Sequence, residues 1–206
     1  MTLSPTIDGP DGRPRCRWCA AAPEFYRYHD TEWGFPVADD TRLFEKLCLE
    51  GFQSGLSWRT ILAKRENFRA AFHSFDFDRI ARFAEADVTR LLQDAGIVRH
   101  RGKIEAVIHN AGRAREMADR EGSLAAFFWR YEPQASGLGE PQTRSASAES
   151  QALSKDLKRL GWKFVGPTTV YAFMQAMGLI NDHVPGCTVR PEVERARQVF
   201  ARPGSA

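Results

Sequence analysis

The chain has 206 residues, of which 43% are hydrophobic and 27% charged, with a formal net charge of +3. It is long enough to bury a substantial core, and no stretch approaches the ~20 apolar residues of a membrane-spanning helix, so no membrane association is expected. The net charge is too small to identify a partner, and four cysteines in a chain of this length do not make a disulfide scaffold, which points to a cytoplasmic location.

Residues 1–14 lack the apolar run of a secretion signal and read as a disordered lead-in. Asp40 or Thr41 can cap a helix running to about Ser54, and Ser57 a second helix that starts at Trp58. Asp76 and Asp87 each precede a short apolar-periodic run. Ile104, Val107, Ile108, Ala111, Ala114 and Met117 form a stripe at helical spacing, which predicts one long helix over about 100–120. Ser123 caps "LAAFFWRY", and Ser147 precedes a helix with Leu153, Leu157 and Leu160 on one face and Gly161 after its end. Thr168 can start a last core helix that ends at Gly178. Alternating strand patterns are scarce, so the expected fold class is all-α. The stretch 132–150 carries two prolines, two glycines and four serines, as a loop would, and can divide a single domain of residues 15–190 into two helical lobes. Residues 191–206 form a tail with no assigned role.

Charge is distributed unevenly. Residues 24–50 hold seven acids and three bases, whereas residues 97–120 hold six bases and three acids. Three groups of residues carry chemistry. Cys16, Cys19 and His29 near one end of the chain, with His183 and Cys187 near the other, offer the nitrogen and thiolate ligands that zinc takes four at a time. Spacing leaves two sets open: Cys16, Cys19, His183 and Cys187, or Cys16, His29, His183 and Cys187. Cys48 sits in an apolar helix and reads as an inert thiol.

The second group is "DVTRLLQDAGIVRHRGKIEAVIHNA", 87–111, a short helix, a tight turn and a long helix. Gly96 is expected to take a left-handed backbone in that turn. The amides that open the long helix, with Arg99, Arg101 and Lys103 nearby, suit a DNA phosphate. The third group surrounds Glu50, which falls on the same helical face as Leu43 and Leu47 and so points inward. Trp18, Phe25, Tyr26, Tyr28 and Trp33 crowd one segment, and Trp58 follows the loop Gln53-Ser54-Gly55-Leu56. Stacking faces, a phenol and a carboxylate together suit a purine; without such a use, an inward Glu50 needs a salt-bridge partner.

The blocks "YHDTEWGFP", "LFEKLCLEGFQSGLSW", "KRENFRAAF", "DAGIVRHRGKI", "LSKDLKRLGWKFVGPTTVYAFMQAMGLINDH" and "HVPGC" are collinear from about Arg15 to Cys187. They resemble the bacterial DNA-3-methyladenine glycosylase I family of the helix-hairpin-helix superfamily. The resemblance implies a helix-hairpin-helix glycosylase fold with one structural zinc on Cys16, His29, His183 and Cys187, joining the two ends of the domain. It implies a base pocket of Glu50, Tyr28 and Trp58, with Trp18 as a further wall and Glu50 and Tyr28 acting on the base. Phe25 stands where a relative carries tyrosine. The loop Gln53, Ser54, Gly55 and Leu56 would probe the duplex, and the hairpin 95–103, with Gly96, Arg99, Arg101 and Lys103, would hold its backbone. The superfamily's catalytic aspartate is not used by this family, so Asp119 receives no such role. The implied activity is hydrolysis of the N-glycosidic bond of 3-methyladenine in double-stranded alkylated DNA by a monomer, leaving an abasic site for base excision repair. Two other classes are a zinc-stabilised DNA-binding module without catalysis and a bifunctional glycosylase/lyase, for which Lys103 is the candidate amine.

Overall fold

The computed structural model describes residues 4–134 and 139–204. Among these, eleven α-helices surround a core to which one two-stranded sheet is attached. The sheet corrects the expected lead-in. β1 (Thr6–Asp8) pairs antiparallel with β2 (Pro14–Cys16), Thr6 opposite Cys16. The turn between them, "GPDG", carries the proline and glycines that reverse a chain, and Arg15 Nη1 and Nη2 clamp the Asp11 carboxylate from within the second strand at 2.5 and 2.9 Å. Residues 1–3 of the lead-in, 135–138 of the long loop and 205–206 of the tail lie outside the described residues.

A 3-10 turn, Arg17–Ala21, leads into α1 (Pro23–Thr31). The central helix is α2 (Asp40–Gln53), buried continuously from Leu43 to Phe52. Its cap is Asp39, whose carboxylate accepts from Arg42 N at 2.8 Å. Asp40, expected as that cap, instead accepts from the amides of Leu124 and Ala125 at 2.9 Å each, so a second helix start uses it. Ser57 caps α3 (Trp58–Ala63) as expected, and α4 (Arg65–Ala71), α5 (Phe77–Ile80) and α6 (Glu85–Gln93) follow. Asp87 is not a cap. It lies in the first turn of α6 and accepts from Ala84 N.

The long stripe is α7 (Arg101–Glu121), and Ser123 caps α8 (Leu124–Phe128). Beyond the loop come α9 (Ala148–Arg159), capped by Ser147, and α10 (Pro167–Ala176). The tail supplies α11 (Arg190–Val199). It is docked: Val193 is fully buried, Arg197 ion-pairs with Glu132 at 2.7 Å, and Phe200 meets Trp129 at 4.5 Å between ring centroids. Helices from both sides of the 132–150 loop share one core around α2, where Phe44 touches Phe77 and Trp162. No described helix is long and apolar enough to cross a membrane.

Candidate functional site

Glu50, near the C-terminal end of α2, is 6% exposed, so its charge needs a partner. The partner is Lys46, one turn earlier on the same helix and also buried, with Nζ 2.8 Å from Glu50 Oε1. Sequence reading did not single out Lys46. The signal was there, because an inward acid calls for a cation and Lys46 lies at i−4 on the same face. The same Nζ donates to the Tyr28 hydroxyl at 2.8 Å and lies 3.4 Å from the centroid of the Trp58 ring. Burial lowers the Lys46 ammonium below its ordinary range, with Glu50 opposing the shift. Burial and the Glu50 charge push the Tyr28 phenol well above its ordinary value, so it is a neutral hydroxyl. Because Tyr28 accepts from Lys46, its own proton is left to donate elsewhere.

Glu50, Tyr28 and Trp58, but not Lys46, line a cavity of about 330 Å³ with Trp18, Trp33, Gln53 and, from beyond the long loop, Gln142, Arg144, Ala172 and Gln175. The 132–150 loop thus returns to the pocket, where Gln142 is held by Asp182 through bonds of 3.0–3.1 Å. That return depends on tertiary path and leaves no mark on local sequence. Trp58 and Tyr28 meet at 5.3 Å between centroids, and Trp18 packs edge-on to Trp33 at 5.0 Å. The indole Nε1 atoms of Trp18 and Trp58 are buried without a hydrogen-bond partner. Phe25 does not line the cavity. It packs behind Trp18 at 5.8 Å, in a small cluster with Cys19 and Ala22.

A second cavity shares Glu50 and Gln53 and continues to Ser54, Gly55 and Leu56, so the pocket opens beside the loop that ends α2. Gly55 takes a φ of +78°, which favours glycine, and its position for a Cβ is open space. Leu56 is 42% exposed, one of few large apolar side chains so displayed. Lys103, expected among the phosphate contacts, faces this loop from below. It is buried and donates to Phe52 O at 2.9 Å and Ser54 O at 2.5 Å, satisfying carbonyls that the end of α2 leaves open. The amine bonded to Glu50 is that of Lys46 and not that of Lys103.

The turn between α6 and α7 differs from expectation at Gly96, whose backbone is not left-handed. Asp94 Oδ1 instead accepts from Gly96 N at 2.7 Å, an Asx-type turn. Glycine is needed for a different reason, since a Cβ there would come within 3.1 Å of Asn67. Lys64 donates to the carbonyls of Ala95 and Gly96. His100 Nδ1 accepts from Lys103 N, taking up one of the amides that open α7. Arg99 is exposed, and Arg101, also exposed, pairs with Glu85 at 2.9 Å and Glu105 at 3.2 Å. Both pairs are exposed and screened by solvent.

Cys16, His29, His183 and Cys187 come together with their ligand atoms all within 4.8 Å of one another and every residue buried. Cys187 Sγ lies 3.6 Å from His29 Nε2 and 3.5 Å from His183 Nδ1, and Cys16 Sγ lies 3.6 Å from His183 Nδ1. The outer nitrogens are engaged: His29 Nδ1 with Asp30 Oδ1 at 2.7 Å, and His183 Nε2 with Trp33 O at 3.0 Å. Asp30 is in turn held by Arg15 at 2.8–3.0 Å. With its outer nitrogen donating, each ring presents its other nitrogen to the cluster, the orientation a metal ligand takes. Of the two sets left open by spacing, geometry assembles the one with His29. Cys19 lies outside it, and burial pushes its thiol up to about 12. His29 follows Tyr28 on α1, so the cluster stands directly behind the pocket wall.

The family profile described as methyladenine glycosylase matches residues 18–190. The chain is 51% identical over 183 residues to DNA-3-methyladenine glycosylase 1 of Escherichia coli (strain K12), covering 86% of this chain and 97% of that protein. It is 44% identical to the DNA-3-methyladenine glycosylase of Haemophilus influenzae (strain ATCC 51907 / DSM 11121 / KW20 / Rd), with 84% and 96% covered. A crystal structure of a variant 3-methyladenine DNA glycosylase I in complex with 3-methyladenine superposes with a TM-score of 0.80 at 35% identity, covering 86% of this chain and 97% of that one.

Proposed function

The chain belongs to the methyladenine glycosylase family, and from that premise we propose that it excises 3-methyladenine from double-stranded alkylated DNA. It does so as a monomer, flipping the damaged base into the aromatic pocket and hydrolysing its N-glycosidic bond to leave an abasic site. The observation that carries this reading is the buried Glu50 carboxylate at an aromatic cavity wall, beside a phenol free to donate.

Alkylation at N3 gives the base a positive charge in DNA, so its departure needs little further activation. The residues need to receive it, distinguish it from neutral adenine and exclude competing partners. Glu50 accepts from the exocyclic amine and offsets the ring's charge. Trp58 offers a π face to that charge. Tyr28 donates at the base edge, and Trp18 closes the far wall. Gln53, Gly55 and Leu56 enter the space the nucleotide vacates, and the exposed Leu56 suits a wedge between base steps. Gly96, Arg99 and Arg101 lie on the turn that tracks the phosphates, in a helix-hairpin-helix. Lys103 serves by holding the probe loop.

Cys16, His29, His183 and Cys187 are read as the ligands of one zinc ion. The ring nitrogens turned inward and the close thiols fit that metal. Four protein ligands leave no open position for water, so the ion's role is structural. Release of 3-methyladenine from methylated duplex tests the activity. Free base in the supernatant is expected, and its absence with DNA binding intact would leave a zinc-stabilised binding module. Borohydride should trap no covalent DNA adduct, because Lys46 is committed to Glu50 and Tyr28. An adduct lost in Lys46→Met would establish the bifunctional lyase.

A further inference from the structure

We infer that Lys46 is a positioning residue of this pocket, which from behind its wall keeps the Glu50 carboxylate charged and turns the Tyr28 hydroxyl into a donor toward the base. The inference rests on the base-pocket reading above. Glu50, Tyr28 and Trp58 line the cavity whereas Lys46, bonded to both Glu50 and Tyr28, does not. Its ammonium also lies against the Trp58 ring, so one cation touches all three groups assigned to the base.

The consequence follows from what a buried acid does alone. A carboxyl surrounded by tryptophans and a phenol, with no cation beside it, takes up a proton rather than remain charged. It then has no charge with which to favour an alkylated base over adenine. Lys46 prevents this at one carboxylate oxygen. Its own charge repels the incoming cation, but that is outweighed, because without Lys46 there is no anion to attract it. Around the pair stand Glu32 and Arg65 as further charges acting on Lys46, tied to each other by bonds of 2.5 and 2.9 Å, and Arg144 on the cavity wall. Arg65 is held by Glu32 and Glu66, so it substitutes poorly for Lys46 beside Glu50.

The test is the pH profile of single-turnover 3-methyladenine release. Removing an opposite charge at this range moves an acid by about 1–3 pH units, so Lys46→Met should move the acid limb up by that amount. Release should fall at and below the raised limb and recover in alkaline buffer, while Lys46→Arg restores the wild-type limb. A folded Lys46→Met protein with an unmoved limb would overturn the inference, as would a moved limb that persists when Glu50→Gln is added. Should Lys46→Met not fold, carbon-13 NMR of glutamate-labelled wild type decides. The Glu50 carboxyl should be an anion in neutral buffer, and a protonated Glu50 there with Lys46 in place would overturn the inference. Absence of base release from the wild type would instead remove the glycosylase reading, an outcome separate from the NMR result.

Discussion

A buried carboxylate at a cavity wall can be a base that activates water or an anion that selects a cation, and the size of its contribution separates the two. Selection should involve about one charged hydrogen bond, roughly 1.5–3 kcal/mol. Glu50→Gln, which keeps the shape, should then lower the single-turnover rate by about 10- to 150-fold, and weaken binding of free 3-methyladenine. A fall of about 10⁴-fold with folding and base binding intact would make Glu50 the base. At the proposed zinc site, His29→Ala should lose the ion and Cys19→Ser should keep it, as read by metal analysis of the purified proteins. The reverse pattern would return Cys19 to the ligand set. Spacing could not choose between the two residues, because Cys16-x2-Cys19 looks like a half-site. The deciding facts are that α1 turns His29 toward Cys187 and the 3-10 turn carries Cys19 into a separate apolar cluster. Lys46 was legible from Glu50 by helical spacing alone. Gln142 and Arg144 were not, since only the return of a distant loop brings them to the cavity.

In the proposed function the junction of α2 with α3 is the element that enters the duplex. Leu56→Ala should weaken release from duplex more than from single-stranded substrate, because a wedge is needed only where a stack must be held open. Equal losses on both would identify a packing defect. Lys103 and Arg101 separate support from contact, although both open the same helix. Lys103→Met should loosen the carbonyls of Phe52 and Ser54 and lower the duplex rate without changing how affinity varies with salt. Arg101→Ala should flatten that dependence by about one phosphate contact. A flatter slope in Lys103→Met would put its ammonium back on the backbone. Helix starts were readable where a serine or aspartate precedes an apolar period, as at Ser57, Ser123 and Ser147. Asp40 misled because its carboxylate serves a helix start more than 80 residues away. The β-hairpin went unread although its turn residues were visible, since strands of three residues are too short to show alternation.

Across the whole molecule, α1 is joined to the rest by ion pairs as well as through His29 in the cluster with Cys16, His183 and Cys187. Burial alone would raise the Glu32 carboxyl, but its bonds from Arg65 hold it below the ordinary 4.5. The unfolded chain thus binds a proton here that the folded chain does not. The stability from this pair is complete above about pH 4.5 and drains away as pH falls through the lower folded value. Arg65→Met removes the cation and should move the acid unfolding midpoint, followed by circular dichroism, to higher pH. An unchanged midpoint would mean that the pair contributes nothing in acid. The order in which the chain leaves the ribosome now acquires a meaning. His29 meets Cys187 across 158 positions and Cys16 meets His183 across 167. At translation rates of about 5–20 residues per second, the helix carrying Tyr28 waits roughly 8–30 s for its anchor. Until Cys187 emerges the four-residue cluster behind Tyr28 is incomplete, so it closes only near the end of synthesis.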